Sequence, residues 1–312
     1  MSNSPSSPSV TSDQPSSATL GGILPAVVTP FDANGRFAAK PFEQLLARVY
    51  AAGVHGIYIS GSTGEGPLQS VAERKAVMDA AVAASPAGKH VMVHVGASSP
   101  AEALELAAYA ARAGAHSISS LPPLGGSFSF EEIRDYYRAL GAESALPLVV
   151  YYFPQIAPAL ATRAQLLEIC ALSNVAGFKF TNFDLFTLSR VRRPGLAAFN
   201  GHDEVLAAGL LMGADGGIGS FYNLVPELFV RIYDLARAGE WEQVRVIQDS
   251  VNELIAFTLR FPLFPAIKQI LEWSGLPCGA CLPPRQRLTS QQQTDLRAGL
   301  GAIGFGRLLG VD

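Results

Sequence analysis

With 312 residues, 49% of them hydrophobic and 16% charged, the chain has ample material for a large apolar core. A net charge of −3 and a single short basic run at 190–194 ("RVRRP") speak against nucleic acid as a partner. No window approaches about eighteen uninterrupted apolar residues, so no membrane span is expected.

Residues 1–19 are rich in Ser and Pro, with neither a basic start nor an apolar stretch. They are expected to form a disordered tail rather than a secretory signal. From there, short β-branched runs alternate with Ala/Leu-rich stretches. Strands are expected at 23–29, 56–60, 91–95, 117–121, 148–152, 177–180, 196–200 and 216–219. Helices are expected between them at 40–52, 71–84, 100–113, 130–140, 163–172, 185–191 and 204–212. Their apolar residues follow i, i+3, i+4 spacing, as in Leu45, Leu46 and Val49. Start signals include Ser99 before Pro100, and Ser129 with Glu132 three residues on. Eight strand–helix units imply parallel strands with right-handed crossovers, and an α/β fold of the (β/α)8 barrel type over residues 20–240. Residues 241–312 read as a C-terminal helical extension. No GxGxxG opens the first unit and no GxxxxGK[ST] occurs, so nucleotide cofactors have no support.

The three cysteines, Cys170, Cys278 and Cys281, are few and odd in number, which fits a reducing cytoplasm. "CGAC" at 278–281 has no second ligand pair, and His90 and His94 lie on a strand-like run without a carboxylate nearby. Neither a metal nor a cofactor is expected.

Within "VAGFKFTN" (175–182), Lys179 interrupts an apolar run, in a chain with five lysines against eighteen arginines. The plain explanation is a strand-end lysine whose stem is buried and whose head reaches water. The alternative is a desolvated amine that attacks a carbonyl. In a barrel, chemistry gathers where strands end, and Lys179 falls at the end of the sixth. Period-two alternation sets Lys179 and Thr181 on one face and Phe178 and Phe180 on the other. The same rim holds "GSTGEG" (61–66), Tyr151–Tyr152, "NGHDE" (200–204) and Ser220.

A lysine that forms a Schiff base with a 2-oxo acid needs a carboxylate cradle, a proton shuttle and a pocket for the remainder of the substrate. The N–H groups and hydroxyls of Ser62 and Thr63 can supply the cradle, although the same glycines also suit a simple turn. One of Tyr151 and Tyr152 can enter the barrel mouth and shuttle a proton, and alternation leaves open which. Asp203 and Glu204 are either helix-start carboxylates or, beside Thr181 and Ser220, acceptors for a polyhydroxylated substrate.

"GSTGE" (61–65), "HVGA" (94–97), "VVYYFP" (149–154), "GFKFTNFD" (177–184), "NGHDE" (200–204) and "GADGGIGSFYN" (213–223) follow one another. In this order they resemble the N-acetylneuraminate lyase and dihydrodipicolinate synthase superfamily, from about Gly21 to near the C-terminus. The resemblance implies a pyruvate-dependent class I aldolase, a homotetramer on a TIM barrel, with a 2-oxo acid or sugar acid as its small-molecule partner. It casts Lys179 as the Schiff-base lysine, Tyr151 as the catalytic tyrosine with Thr63 relaying its proton, and Ser62 and Thr63 as holders of the pyruvate carboxylate. Thr181, Gly201, Asp203, Glu204 and Ser220 match the residues that bind the sugar's hydroxyl-bearing tail in the sialic acid lyases. No arginine occurs in "PQIAP" (154–158), where dihydrodipicolinate synthases grip a second carboxylate, so that activity is disfavoured. Leu124-Gly125-Gly126 stands where many relatives carry an interface aromatic pair. The expected reaction is cleavage of N-acetylneuraminate to pyruvate and N-acetylmannosamine. The alternatives are the same imine chemistry on another 2-keto-3-deoxy sugar acid, and a catalytically silent sugar-acid-binding barrel.

Overall fold

A computed structural model of the chain describes residues 20–123 and 125–310. The tail expected at 1–19 lies outside the described residues, as do Leu124 and residues 311–312. Eight strands form one parallel sheet: β1 (Gly22–Pro25), β2 (Gly56–Ile59), β3 (His90–His94), β4 (Ser117–Ser120), β5 (Leu148–Tyr152), β6 (Val175–Phe180), β7 (Ala197–Asn200) and β8 (Gly216–Gly219). They run in the order β1-β8-β7-β6-β5-β4-β3-β2. Val27 N–H donates to the Tyr58 carbonyl (2.9 Å) and His55 N–H to that of Ile23 (3.0 Å), and Ala26 bridges to Tyr58. These bonds join the two end strands and make the sheet a (β/α)8 barrel.

The outer ring is built from α1 (Ala39–Ala51), α2 (Val71–Ala84), α3 (Pro100–Ala113), α4 (Phe130–Glu143), α5 (Arg163–Cys170), α6 (Leu185–Val191), α7 (Leu206–Leu211) and α8 (Pro226–Ala238). Four more helices follow: α9 (Trp241–Thr258), α10 (Leu263–Trp273), α11 (Ser290–Ala302) and α12 (Gly306–Leu309). Ser70 with Glu73, Ser129 with Glu132, and Thr162 with Gln165 form reciprocal caps at α2, α4 and α5, each worth about 1 kcal/mol. Ser99 opens α3 but its hydroxyl caps nothing; Pro100 at the first turn sets the start by its fixed φ. Among the described residues no single helix is long and apolar enough to cross a membrane.

Two strand boundaries differ from expectation by more than one residue. β1 ends at Pro25, which has no N–H for the ladder; beyond it, Val28 N–H turns to the Asn223 side chain (3.1 Å). β6 begins two residues early, at Val175, where a register irregularity against Leu148 absorbs the extra length.

Alternation along the strands separates two cores. Phe178, Phe180, Tyr152, Ile57 and Ile59 face the helices. Leu24, Tyr58, Met92, Val149, Tyr151, Phe199 and Ile218 fill the barrel interior. Burial of an aromatic ring against the helices contributes about 2–3 kcal/mol, so slipping β6 by one residue, which would turn two phenylalanines into the already filled barrel interior, is strongly opposed. That register delivers Lys179 to the interior.

Candidate active site

Tyr151 and Lys179 are direct partners across β5 and β6, with Phe199 opposite Lys179 on β7. Since partners on parallel strands point the same way, the phenol and the amine share the inside of the barrel. Lys179 Nζ lies 4.2 Å from the centre of the Tyr151 ring and 4.8 Å from that of Tyr58. The residue is only 5% exposed, and among the described residues it has no ion-pair partner. Tyr152 instead points outward, where its hydroxyl donates to the Ala161 carbonyl.

The amine sits on the floor of a cavity of about 310 Å³ at the C-terminal mouth of the barrel. All nine residues expected at the site, Lys179, Tyr151, Ser62, Thr63, Thr181, Gly201, Asp203, Glu204 and Ser220, line it. Thr63 shares a 2.6 Å hydrogen bond with Ser220, so the cradle loop after β2 is tied to the turn after β8 rather than to the Tyr151 hydroxyl. Thr181 Oγ1, beside the cavity, is buried and, among the described residues, has no hydrogen-bond partner. Gly201 has a steric reason: a Cβ there would lie 2.1 Å from that same oxygen.

The turn after β7 is tighter than the helix expected at 204–212. A 3₁₀ turn, Asp203–Val205, precedes α7 because Asp203 folds inward, accepting the Phe221 N–H at 2.8 Å. α9 braces this turn from behind. Gln248 accepts the Ala207 N–H (2.9 Å) and donates to the Asp203 carbonyl (3.1 Å), and Asn252 donates to that of Glu204 (3.1 Å).

Burial pushes the Asp203 carboxyl up to about 7, with Glu204 adding to the rise. The N–H groups of Phe221 and Ser220 and the Lys179 ammonium act in the opposite sense. The folded chain therefore keeps a proton that the unfolded chain releases near the ordinary value of 3.8. Asp203 thus stabilises the fold fully below about pH 4, and that contribution is lost progressively as pH rises to about 7. In Asp203→Asn this dependence is expected to vanish, so that urea midpoints at about pH 4.5 and about pH 7.5 differ less than in the wild type. Equal pH responses in the two proteins would refute this titration.

Several lining residues were not among those expected at the site, although Phe153 and His202 lie within "VVYYFP" and "NGHDE". Tyr58 could have been found by alternation, since Ile57 and Ile59 flank it and face outward. Phe153 stacks on Tyr151 (6.0 Å between ring centres, 14° between planes). His202 stacks on the half-exposed Phe183 (4.1 Å, 6°), with Nδ1 3.6 Å from Glu204. Burial lowers the His202 pKa against the pull of Glu204. Ile255, Leu259, Leu263 and Phe264, from α9 to α10, wall the far side with apolar surface.

The other histidines and the cysteines play different parts. His90 bonds the Ser117 hydroxyl (2.8 Å), and burial lowers its pKa to about 4. His94 points into the barrel interior beside Tyr58 and Tyr151, and its Nε2 accepts the Leu121 N–H (3.1 Å). Burial first, then the charges of Arg74 and Lys179, hold that imidazole neutral. Cys170 and Cys278 are buried, and burial pushes all three thiols up to about 12.

A sequence model of the dihydrodipicolinate synthetase family matches residues 19–303. The N-acetylneuraminate lyase of Rhizobium meliloti (strain 1021) is 36% identical over 281 residues, spanning 89% of this chain and 93% of that protein. Among solved structures, the sialic acid aldolase of Ruminococcus gnavus is similar with a TM-score of 0.87 at 27% identity, over 93% of this chain and 99% of its own. CdNal of Clostridium difficile, solved in complex with mannosamine, gives 0.86 at 28% identity, over 91% and 99%.

Proposed function

Because the chain belongs to the dihydrodipicolinate synthetase family, we propose that it is a lyase, a class I aldolase that cleaves N-acetylneuraminate to pyruvate and N-acetylmannosamine. The observation that carries this reading is the buried, unpaired amine of Lys179 beside the inward-facing Tyr151, in a cavity ringed by hydroxyls and two carboxylates. The neutral Lys179 amine adds to the C2 carbonyl of the open-chain sugar acid, one proton is taken up from solvent and water leaves, giving a protonated imine. Tyr151 takes the C4 hydroxyl proton as the C3–C4 bond breaks. The bond's electron pair flows into the imine, leaving an enamine and the aldehyde of N-acetylmannosamine. Protonation at C3 and hydrolysis of the imine release pyruvate and restore the amine.

Ser62 and Thr63 hold the substrate carboxylate, and the Thr63 hydroxyl relays the Tyr151 proton once substrate loosens its bond to Ser220. Thr181, Asp203, Glu204 and Ser220 accept or donate to the hydroxyls of the tail, with Gly201 leaving room for it. No metal or cofactor enters this sequence of steps. The loop after β5 supports the choice against a second substrate carboxylate. Arg163, the nearest arginine after it in sequence, sits on α5 against the Phe186 ring (5.8 Å) and does not line the cavity.

A homotetramer and a cytoplasmic location complete the reading. Phe183, Phe186 and Leu211 expose 54–63% of their surface on α6, α7 and the adjoining loop, apolar area suited to cover by another subunit. Three unpaired cysteines suit a reducing compartment.

The test is pyruvate release from N-acetylneuraminate compared with 2-keto-3-deoxygluconate, together with borohydride trapping of a pyruvyl adduct. Faster turnover of N-acetylneuraminate and an adduct on Lys179 are expected. Preference for the deoxy sugar acid would move the reading to another aldolase or dehydratase. Saturable binding with no adduct and no pyruvate would leave only a sugar-acid-binding barrel.

A further inference from the structure

Glu65 is fully buried, yet it closes the cradle loop and bears a charge. Among the described residues, every partner of its carboxylate comes from the segment after α9, more than two hundred positions along the chain. Lys268 Nζ on α10 lies 2.8 Å from Oε1. On Oε2, the Leu282 N–H donates at 2.8 Å and the Arg285 guanidinium lies 3.3 Å away. Lys268 is itself only 2% exposed; it also donates to the Ala280 carbonyl (3.2 Å) and rests 4.3 Å from the centre of the Phe31 ring. Such a network is costly to bury unless its charges are paired, and here the one carboxylate meets two cations, the buried Lys268 and the partly exposed Arg285.

The backbone supplies the reason for it. Ser60 and Glu65, at the two ends of the loop, both have φ in the left-handed region, 57° and 56°. Residues other than glycine occupy that region at a cost, and a loop strained at both ends holds its shape only when something outside it does the holding. Between those ends stand Ser62 and Thr63, and the Glu65 N–H donates back to the Ser62 carbonyl (3.2 Å).

We infer that Glu65, Lys268 and Arg285 are positioning residues. The C-terminal extension uses them to hold the Ser62–Thr63 cradle in the shape that captures the carboxylate of a 2-oxo acid. This inference rests on the aldolase reading above. None of the three side chains lines the cavity, so they act through the loop.

The experiment measures the pyruvate concentration that half-saturates borohydride trapping at Lys179, and the half-saturating N-acetylmannosamine in the condensation direction at saturating pyruvate. Glu65→Gln keeps the shape and an acceptor for the Leu282 N–H but removes the charge. It is expected to raise half-saturating pyruvate about tenfold and to leave that of N-acetylmannosamine within about twofold. A purely structural role would lower the amount of folded protein and leave both values where they were. Arg285→Gln alters a partly exposed partner whose loss the fold can tolerate, and about a threefold rise in half-saturating pyruvate is expected. If Glu65→Gln fails to fold, Arg285→Gln decides. Wild-type pyruvate saturation in a folded variant overturns the inference. A wild-type protein that traps no pyruvate overturns the aldolase reading instead, so the two failures are distinguishable.

Discussion

Lys179→Ala is expected to lower kcat/KM for pyruvate release by at least about 10³-fold, a barrier increase of about 4 kcal/mol. No other side chain in the cavity can replace the amine, because every remaining lining residue is a hydroxyl, a carboxylate, an imidazole or apolar. The borohydride adduct should vanish with it, since Lys40, Lys75, Lys89 and Lys268 lie outside the cavity. The variant should still fold. Among the described residues Lys179 has no ion-pair partner to be left stranded, and the substitution removes only its contacts with two aromatic rings. A melting temperature within a few degrees of the wild type would accordingly accompany the loss of activity. Retention of a few per cent of the activity, or an adduct on another lysine, would remove Lys179 from the chemistry.

Tyr151→Phe separates imine formation from bond cleavage. The ring remains in place against Lys179 and Phe153, so the geometry of the amine is preserved. Only the hydroxyl that accepts the C4 proton in the proposed mechanism is lost, and kcat for cleavage is expected to fall about 10²–10³-fold. The pyruvate adduct on Lys179 should still form, because trapping the imine does not require the carbon–carbon bond to break. Tyr152→Phe is the matched control. Its hydroxyl bonds the Ala161 carbonyl on the helix side of β5, so its removal costs about 1 kcal/mol of stability and leaves turnover unchanged. Equal losses in the two variants would mean that the tyrosine's contribution is to packing rather than to proton transfer.

The strand and helix units were legible because their signals are local: β-branched alternation for the strands, 3.6-residue periodicity for the helices, and Ser or Thr with Glu or Gln three residues on at four helix starts. Errors fell at boundaries where something distant intervened. The Asn223 side chain draws the Val28 N–H out of the ladder beyond β1, and the Asp203 carboxyl, drawn to the Phe221 N–H, turns the start of the seventh helix into a 3₁₀ turn. At the site, residues in glycine-flanked polar motifs stood out. The apolar and aromatic lining did not, since Tyr58, Phe153, Leu263 and Phe264 read like any core residues until the barrel closes around them.

The sequence by itself determined the eight strand–helix units and the single face shared by Lys179 and Thr181, because alternation is a property of the strand alone. Through its motifs it also marked which polar residues would gather at the rim. The tertiary structure decided the rest. It chose Tyr151 over Tyr152 through the β5–β6 register, brought Thr63 to Ser220 across 157 positions, and set Glu65 between Lys268 and Arg285. Those contacts exist only once every strand has found its neighbour and the ring has closed. No local window contains the residues that meet, so no local pattern could announce them.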